Sequence, residues 1–171
     1  SLHTTNDLPG ALTQIRRVLK PDGLFLGALF GVGTLAPLRD AFLAAEASLG
    51  VGSSPHVAPF TEVRDAGALL QRAGFALPVA DAEPITVTYQ NPMRLLADLR
   101  GMGEGNVLAN RGRQSLRRDV LMATVRQLVD QTIPFEIVFM AGWAPDDGQQ
   151  QPLARGSGQV SLAAVLGKDR S

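Results

Sequence analysis

The sequence predicts an α/β fold, and three observations carry that prediction. Apolar residues recur at helical spacing from Leu8 to Leu19, the tripeptide Pro21-Asp22-Gly23 then forces a turn, and an unbroken run of apolar and small residues follows from Leu24 to Phe30. Helix-period and strand-like segments keep alternating downstream, as α/β chains do. A chain of 171 residues holds one such core and is too short for two full domains.

Asn6 and Asp7 are good N-caps, and Leu8, Leu12, Ile15, Val18 and Leu19 form one stripe on a helix reaching about Lys20. Pro21 sets φ, Asp22 can bond its own backbone and Gly23 tolerates positive φ, so the chain turns there. The run 24–30 has the pattern of a strand covered on both faces, as in a parallel sheet. Leu38, Phe42, Ala45 and Leu49 keep helical register within 35–49, and 50–59 is a Gly/Ser/Pro loop. Thr61 is placed to cap a helix that ends at Gly74, where glycine suits the left-handed C′ position. Residues 85–89 alternate and are β-branched, which predicts a strand. Asn91-Pro92 is a cap followed by proline at N1, opening a short helix through Leu99. After a glycine-rich loop at 101–106 comes a longer helix holding Leu116, Val120, Leu121, Val125 and Leu128. Residues 135–143 form the last strand, 144–158 a loop, and 160–166 a short closing element. Three strands are few, and strands buried on both faces need neighbours, so further strands are expected upstream. Ser1 in place of Met points the same way.

Composition removes several functions. Sixteen Lys plus Arg balance sixteen Asp plus Glu, which leaves no basic footprint for nucleic acid or an anionic membrane. With no cysteine there are no disulfides, thiolate zinc sites or cysteine nucleophiles, and His3 and His56 cannot make a multi-histidine metal centre by themselves. The longest uncharged run, 24–38, is broken by glycines and Pro37 and is shorter than the roughly 20 apolar residues of a membrane helix. No charged segment followed by an apolar one opens the chain as a secretory signal would.

Several residues could carry chemistry. Gly31-Val32-Gly33-Thr34-Leu35-Ala36 fits G-x-G-x-x-A between a strand and a helix, so a dinucleotide-binding turn is one reading. A plain strand-to-helix loop at the carboxyl edge of the sheet is the other, because the required second strand with a terminal acid is replaced by the 50–59 loop. His56 is held between Pro55 and Pro59 and could serve as acid or base, or simply lie on a surface loop. Glu104 sits among Gly101, Gly103 and Gly105, where a ligand can approach backbone closely; a solvated loop carboxylate is the alternative. Tyr89 and Trp143, the only Tyr and Trp, end strands and either stack on a substrate or cap the core. No G-x-S-x-G elbow and no phosphate loop ending in Lys-Ser/Thr is present.

The opening Ser1-Leu2-His3-Thr4-Thr5-Asn6-Asp7-Leu8-Pro9, and Leu19-Lys20-Pro21-Asp22-Gly23 before its apolar strand, resemble the fourth-strand end, helix and fifth strand of class I S-adenosylmethionine-dependent methyltransferases. "SPHVAPFT" at 54–61, "LRGMGEGN" at 99–106 and Gly142-Trp143-Ala144-Pro145 resemble one branch, the methyltransferase-like assembly factors of respiratory complex I. Malonyl-carrier-protein methyltransferases of biotin synthesis are similar at greater distance. Thr4 stands where the family usually has an aromatic residue, and Gly33 where it usually has Asp.

The resemblance implies the C-terminal portion of a Rossmann-like sheet, with the N-terminal cofactor half absent. Strands five, seven and six would be 24–30, 135–143 and 85–89, the last inserted antiparallel strand lying at the sheet edge. Helices within 91–131 would form a lid inserted between 1–90 and 132–171. S-adenosylmethionine is the implied cofactor, with Ser1, Leu2 and His3 lining it, and His56, Glu104 and Trp143 facing the substrate. The implied activity is methyl transfer to a protein or carrier-bound acceptor, in the cytoplasm of a bacterium or on the matrix side of a mitochondrion. A non-catalytic or arginine-hydroxylating assembly factor is the alternative, and a nicotinamide enzyme a third reading. Cut off from its neighbours, the first strand would leave an open edge for self-association.

Overall fold

The computed structural model describes residues 2, 5, 7–58, 60–104 and 116–150. Eight elements follow in order: α1 (Leu8–Val18), β1 (Leu24–Phe30), α2 (Ala36–Ser48), α3 (Val63–Arg72), β2 (Ala76–Thr88), α4 (Pro92–Gly101), α5 (Arg118–Gln127) and β3 (Thr132–Trp143). Local signals place most of them. The Asp7 carboxylate accepts the Gly10 amide at 2.8 Å and starts α1, and Asn91 accepts the Met93 amide at 2.9 Å with Pro92 in the first turn of α4. Gly74 follows α3 at φ +85°, as a C′ glycine should. Helix α3 itself starts at Val63 without a side-chain cap, because Thr61 forms a bridge with Gly31 instead. The predicted closing element at 160–166 lies outside the described residues.

The sheet has the order β1-β3-β2, with β3 antiparallel to both neighbours. An antiparallel last strand was expected, but it lies between the other two rather than at the edge. Strand β2 begins at Ala76, well before the expected 85. The part ahead of 85 carries Pro78 and Pro84, which sequence rules exclude from a central strand but which an edge strand accommodates. A register shift between Ala76 and Val79, with Leu77 at φ +48°, absorbs the irregularity.

Both sheet faces carry apolar residues, and only one is covered along its length. Helices α1 and α3 close that face, burying Leu12, Leu69 and Leu70 against Phe25, Leu29 and Val138. On the other face α2, α4 and α5 gather Leu38, Phe42, Leu95, Leu128, Ile133 and Phe135 into a second cluster at the Phe30 end. Each fully buried leucine contributes about 1.5–3 kcal/mol. The rest of this face is open. Leu26 is 71% exposed and Phe139 47%, and they border a shallow apolar groove of about 400 Å³ with Ala28 and Val79. Coverage of β1 on both faces is therefore not what the described residues show: an apolar run reports that both faces are apolar, not that both have partners. Among those residues β1 is also paired along one edge only.

Candidate functional site

Past Phe30 the chain leaves the ladder but not β3. The Gly31 amide donates to the Glu136 carbonyl at 2.8 Å and the Leu35 amide to the Pro134 carbonyl at 2.9 Å. Thr34, fully buried, substitutes for strand backbone: its hydroxyl donates to the Glu136 carbonyl at 3.1 Å and accepts from the Glu136 amide at 3.0 Å. The Glu136 side chain lies across the turn and accepts the Gly33 amide at 2.7 Å. A Cβ on Gly31 would stand 2.7 Å from Glu136 Cδ, and one on Gly33 would stand 3.1 Å from its Oε2.

These contacts decide how G-x-G-x-x-A is used. Both glycines make room for an internal carboxylate, which occupies the amide that a phosphate would need and would repel it. The dinucleotide reading, and with it the nicotinamide enzyme, has no support in this turn.

A second acidic residue is buried on α2. Glu46 is 3% exposed and faces the loop that follows its helix. Its Oε1 accepts from His56 Nε2 at 2.7 Å, and the Ser54 amide donates to both carboxylate oxygens at 3.2 and 3.3 Å. Phe42 stacks on the imidazole with ring centroids 4.3 Å apart. Pro55 shapes the loop, Glu46 orients the ring and Phe42 backs it, which defines the histidine position from three sides.

The pair borders a cleft of about 470 Å³ whose walls include Ser53, Val51, Leu116 and Val120. Arg117 also reaches the rim, held by Asp119 through Nε–Oδ1 and Nη2–Oδ2 bonds of 3.1 and 2.6 Å. The hydrogen bond from Arg117 keeps the Asp119 carboxyl below its ordinary value, so this exposed pair is ionised and internally neutral at neutral pH. At the margin of the same helical cluster, partial burial raises Tyr89 above its ordinary value, the Asp98 charge adds to this, and a hydrogen bond to Asp98 retains the phenol proton.

Of the six residues singled out from sequence, the four described ones do not share one pocket lining. Ser1 and His3 lie outside the described residues. Leu2 packs onto the α1/α3 cluster, 3.4 Å from where a Gly27 Cβ would be. Glu104 follows α4, its amide donating to the Leu99 carbonyl at 2.8 Å. Trp143 pairs with Leu24 and Ala76 at the opposite end of the sheet from Phe30, about 20 Å away at strand rise. Among the four described, His56 alone lines the cleft. Glu46 was missed, although a charged residue four positions after Phe42, on the apolar stripe of α2, is a signal that sequence offers.

S-adenosylmethionine would need a nucleoside cradle, and the described residues do not form one. Their only glycine-rich strand-to-helix turn is filled by Glu136. Among the described residues no three metal-ligating side chains cluster, and no helix is long and apolar enough to cross a membrane.

No family model matches the sequence. Individual proteins do. Arginine-hydroxylase NDUFAF5, mitochondrial, of Mus musculus is 47% identical over 173 residues, covering 96% of this chain and 50% of the relative. The same protein of Homo sapiens is 44% identical over 176 residues, covering 98% and 50%. Malonyl-[acyl-carrier protein] O-methyltransferase of Gallionella capsiferriformans is 35% identical over 146 residues, covering 82% and 48%. A Bacillus halodurans structure described as a methyltransferase superposes at a TM-score of 0.49 with 11% identity, over 85% of this chain and 62% of that one. The chain spans about half the length of the curated relatives it matches. It is a homologue of the NDUFAF5 arginine-hydroxylases and, at greater distance, of the malonyl-[acyl-carrier protein] O-methyltransferases.

Proposed function

We propose that this chain is the acceptor-side portion of a protein-arginine hydroxylase of the adenosylmethionine-dependent methyltransferase family, acting in the assembly of respiratory complex I. One observation carries the reading: identity to the arginine-hydroxylases is 40–47% over 95–100% of the chain, against 33–35% over 82–90% for carrier-protein methyltransferases. On this reading S-adenosylmethionine is held by residues beyond the described ones. Helices α4 and α5 are the lid, and His56 contacts the acceptor, with Glu104 available from the end of α4. The setting is the mitochondrial matrix side in a eukaryote and the cytoplasm in a bacterium.

Methyl transfer is the second reading, favoured by the 35% identity to the O-methyltransferase. Deleting the coding sequence in the source organism and comparing arginine peptides of its complex I by mass spectrometry separates the readings. Loss of a one-oxygen gain on arginine supports hydroxylation. Loss of a one-methylene gain transfers the assignment to methylation. Unchanged peptides with failed assembly leave a non-catalytic assembly factor. Calorimetric titration of S-adenosylmethionine addresses the cofactor: binding is expected for a chain extended upstream and absent for these 171 residues.

A further inference from the structure

Resting on the arginine-directed reading above, we propose that the Glu46–His56 cleft is the subsite that receives the guanidinium of the acceptor arginine. Glu46 is almost entirely buried, and its acceptor capacity is not used up. A carboxylate offers about four lone-pair positions. Here Oε1 takes the short bond from His56, while among the described residues Oε2 has only a share of the Ser54 amide at 3.3 Å. A buried charge with spare acceptor positions, bordering a cleft, is arranged for a further donor.

The walls indicate which donor. Glu46 is the acidic group of the lining, and Arg117 does not cancel it because Asp119 already pairs with that guanidinium. The cleft therefore favours a cation. Val51, Leu116 and Val120 add apolar wall beside the carboxylate, and the seryl groups of Ser53 and Ser54 lie in the same lining. An arginine side chain has this division of properties: a planar cationic head with five donors on an apolar stem. A bare metal ion is a poorer match, since Glu46 and His56 are two ligands without a third among the described residues. The volume of about 470 Å³ accommodates one such side chain with adjoining backbone.

The test is titration of the full chain with N-acetyl-arginine amide and with its citrulline and lysine counterparts, followed by imidazole NMR signals of His56 and by calorimetry. Arginine should shift His56, and neutral citrulline should bind about ten- to a hundredfold more weakly, the loss expected for one charged hydrogen bond. E46Q should reduce arginine affinity to a similar degree. L116W, which fills the exposed rim and leaves the Glu46–His56 bond untouched, should abolish binding even if E46Q proves too unstable to study. Equal affinity for arginine and citrulline, or arginine affinity unaltered by L116W, overturns the proposal. Unaltered arginine hydroxylation of complex I in a strain carrying L116W would also overturn the subsite while leaving the arginine-hydroxylase reading intact. Binding lost in L116W, with no arginine modification in the unaltered strain, would uphold the subsite and reject that reading.

Discussion

Replacing Gly31 by alanine tests whether the glycines after β1 exist to house Glu136. The added methyl would stand 2.7 Å from Glu136 Cδ and 2.8 Å from Cγ, well inside contact distance. The carboxylate must swing away, which breaks its 2.7 Å bond to the Gly33 amide. A hydrogen bond to a charged group is worth about 1.5–3 kcal/mol. Alanine narrows the unfolded ensemble and returns about 0.4–1 kcal/mol, since Gly31 does not occupy the left-handed region. The expected net loss is about 1–2 kcal/mol, or a melting temperature lower by about 4 °C for a chain of this size. Urea unfolding followed by circular dichroism gives the number, and a double-mutant cycle gives the cause. In an E136A background the obstacle and the bond are both gone, so G31A should there stabilise by about 0.4–1 kcal/mol, leaving a coupling of about 1.5–3 kcal/mol. Equal cost in both backgrounds would refute the steric argument. Loss of NAD binding by G31A at unchanged stability would refute it more directly, since that is how a phosphate-binding turn responds.

Three further outcomes are expected. Truncating Leu95, fully buried on α4 in the second cluster, should cost about 2–5 kcal/mol in urea unfolding, whereas the exposed Val18 should tolerate alanine with less than about 0.5 kcal/mol change. Because the chain has one tyrosine, its ultraviolet titration reports Tyr89 alone. The midpoint should lie above the ordinary 10.0 and fall in D98N. A raised folded value means the folded state keeps its proton longer, so this contribution to stability is full below pH about 10 and declines above it, a decline absent from Y89F. The open edge of β1 and the exposed Leu26 should drive concentration-dependent association of the isolated chain, seen by light scattering and suppressed by L26K. A stable monomer at high concentration would count against an accessible edge.

Legibility in the sequence followed the range of the interactions. Asp7, Asn91-Pro92 and Gly74 act within a few residues of themselves, so caps and helix ends could be read directly, and the Pro21-Asp22-Gly23 turn marked the start of β1 to the residue. The part of β2 ahead of 85 could not, because Pro78 and Pro84 are acceptable only once that strand is known to lie at an edge. The meaning of the two glycines depended on a carboxylate 103 positions away from Gly33, and Glu136 within an apolar strand looks like an ordinary outward residue until the turn is folded over it. His56 was conspicuous from its prolines; its partner Glu46, ten positions earlier, acquired a role when the 51–56 loop folded back on α2. Trp143, equally conspicuous, ended at the far side of the sheet, since strand direction rather than residue type decides which end a side chain reaches. Residue chemistry and local spacing thus specified the elements and their caps, while pairing across the sheet, which no local pattern encodes, determined which groups meet.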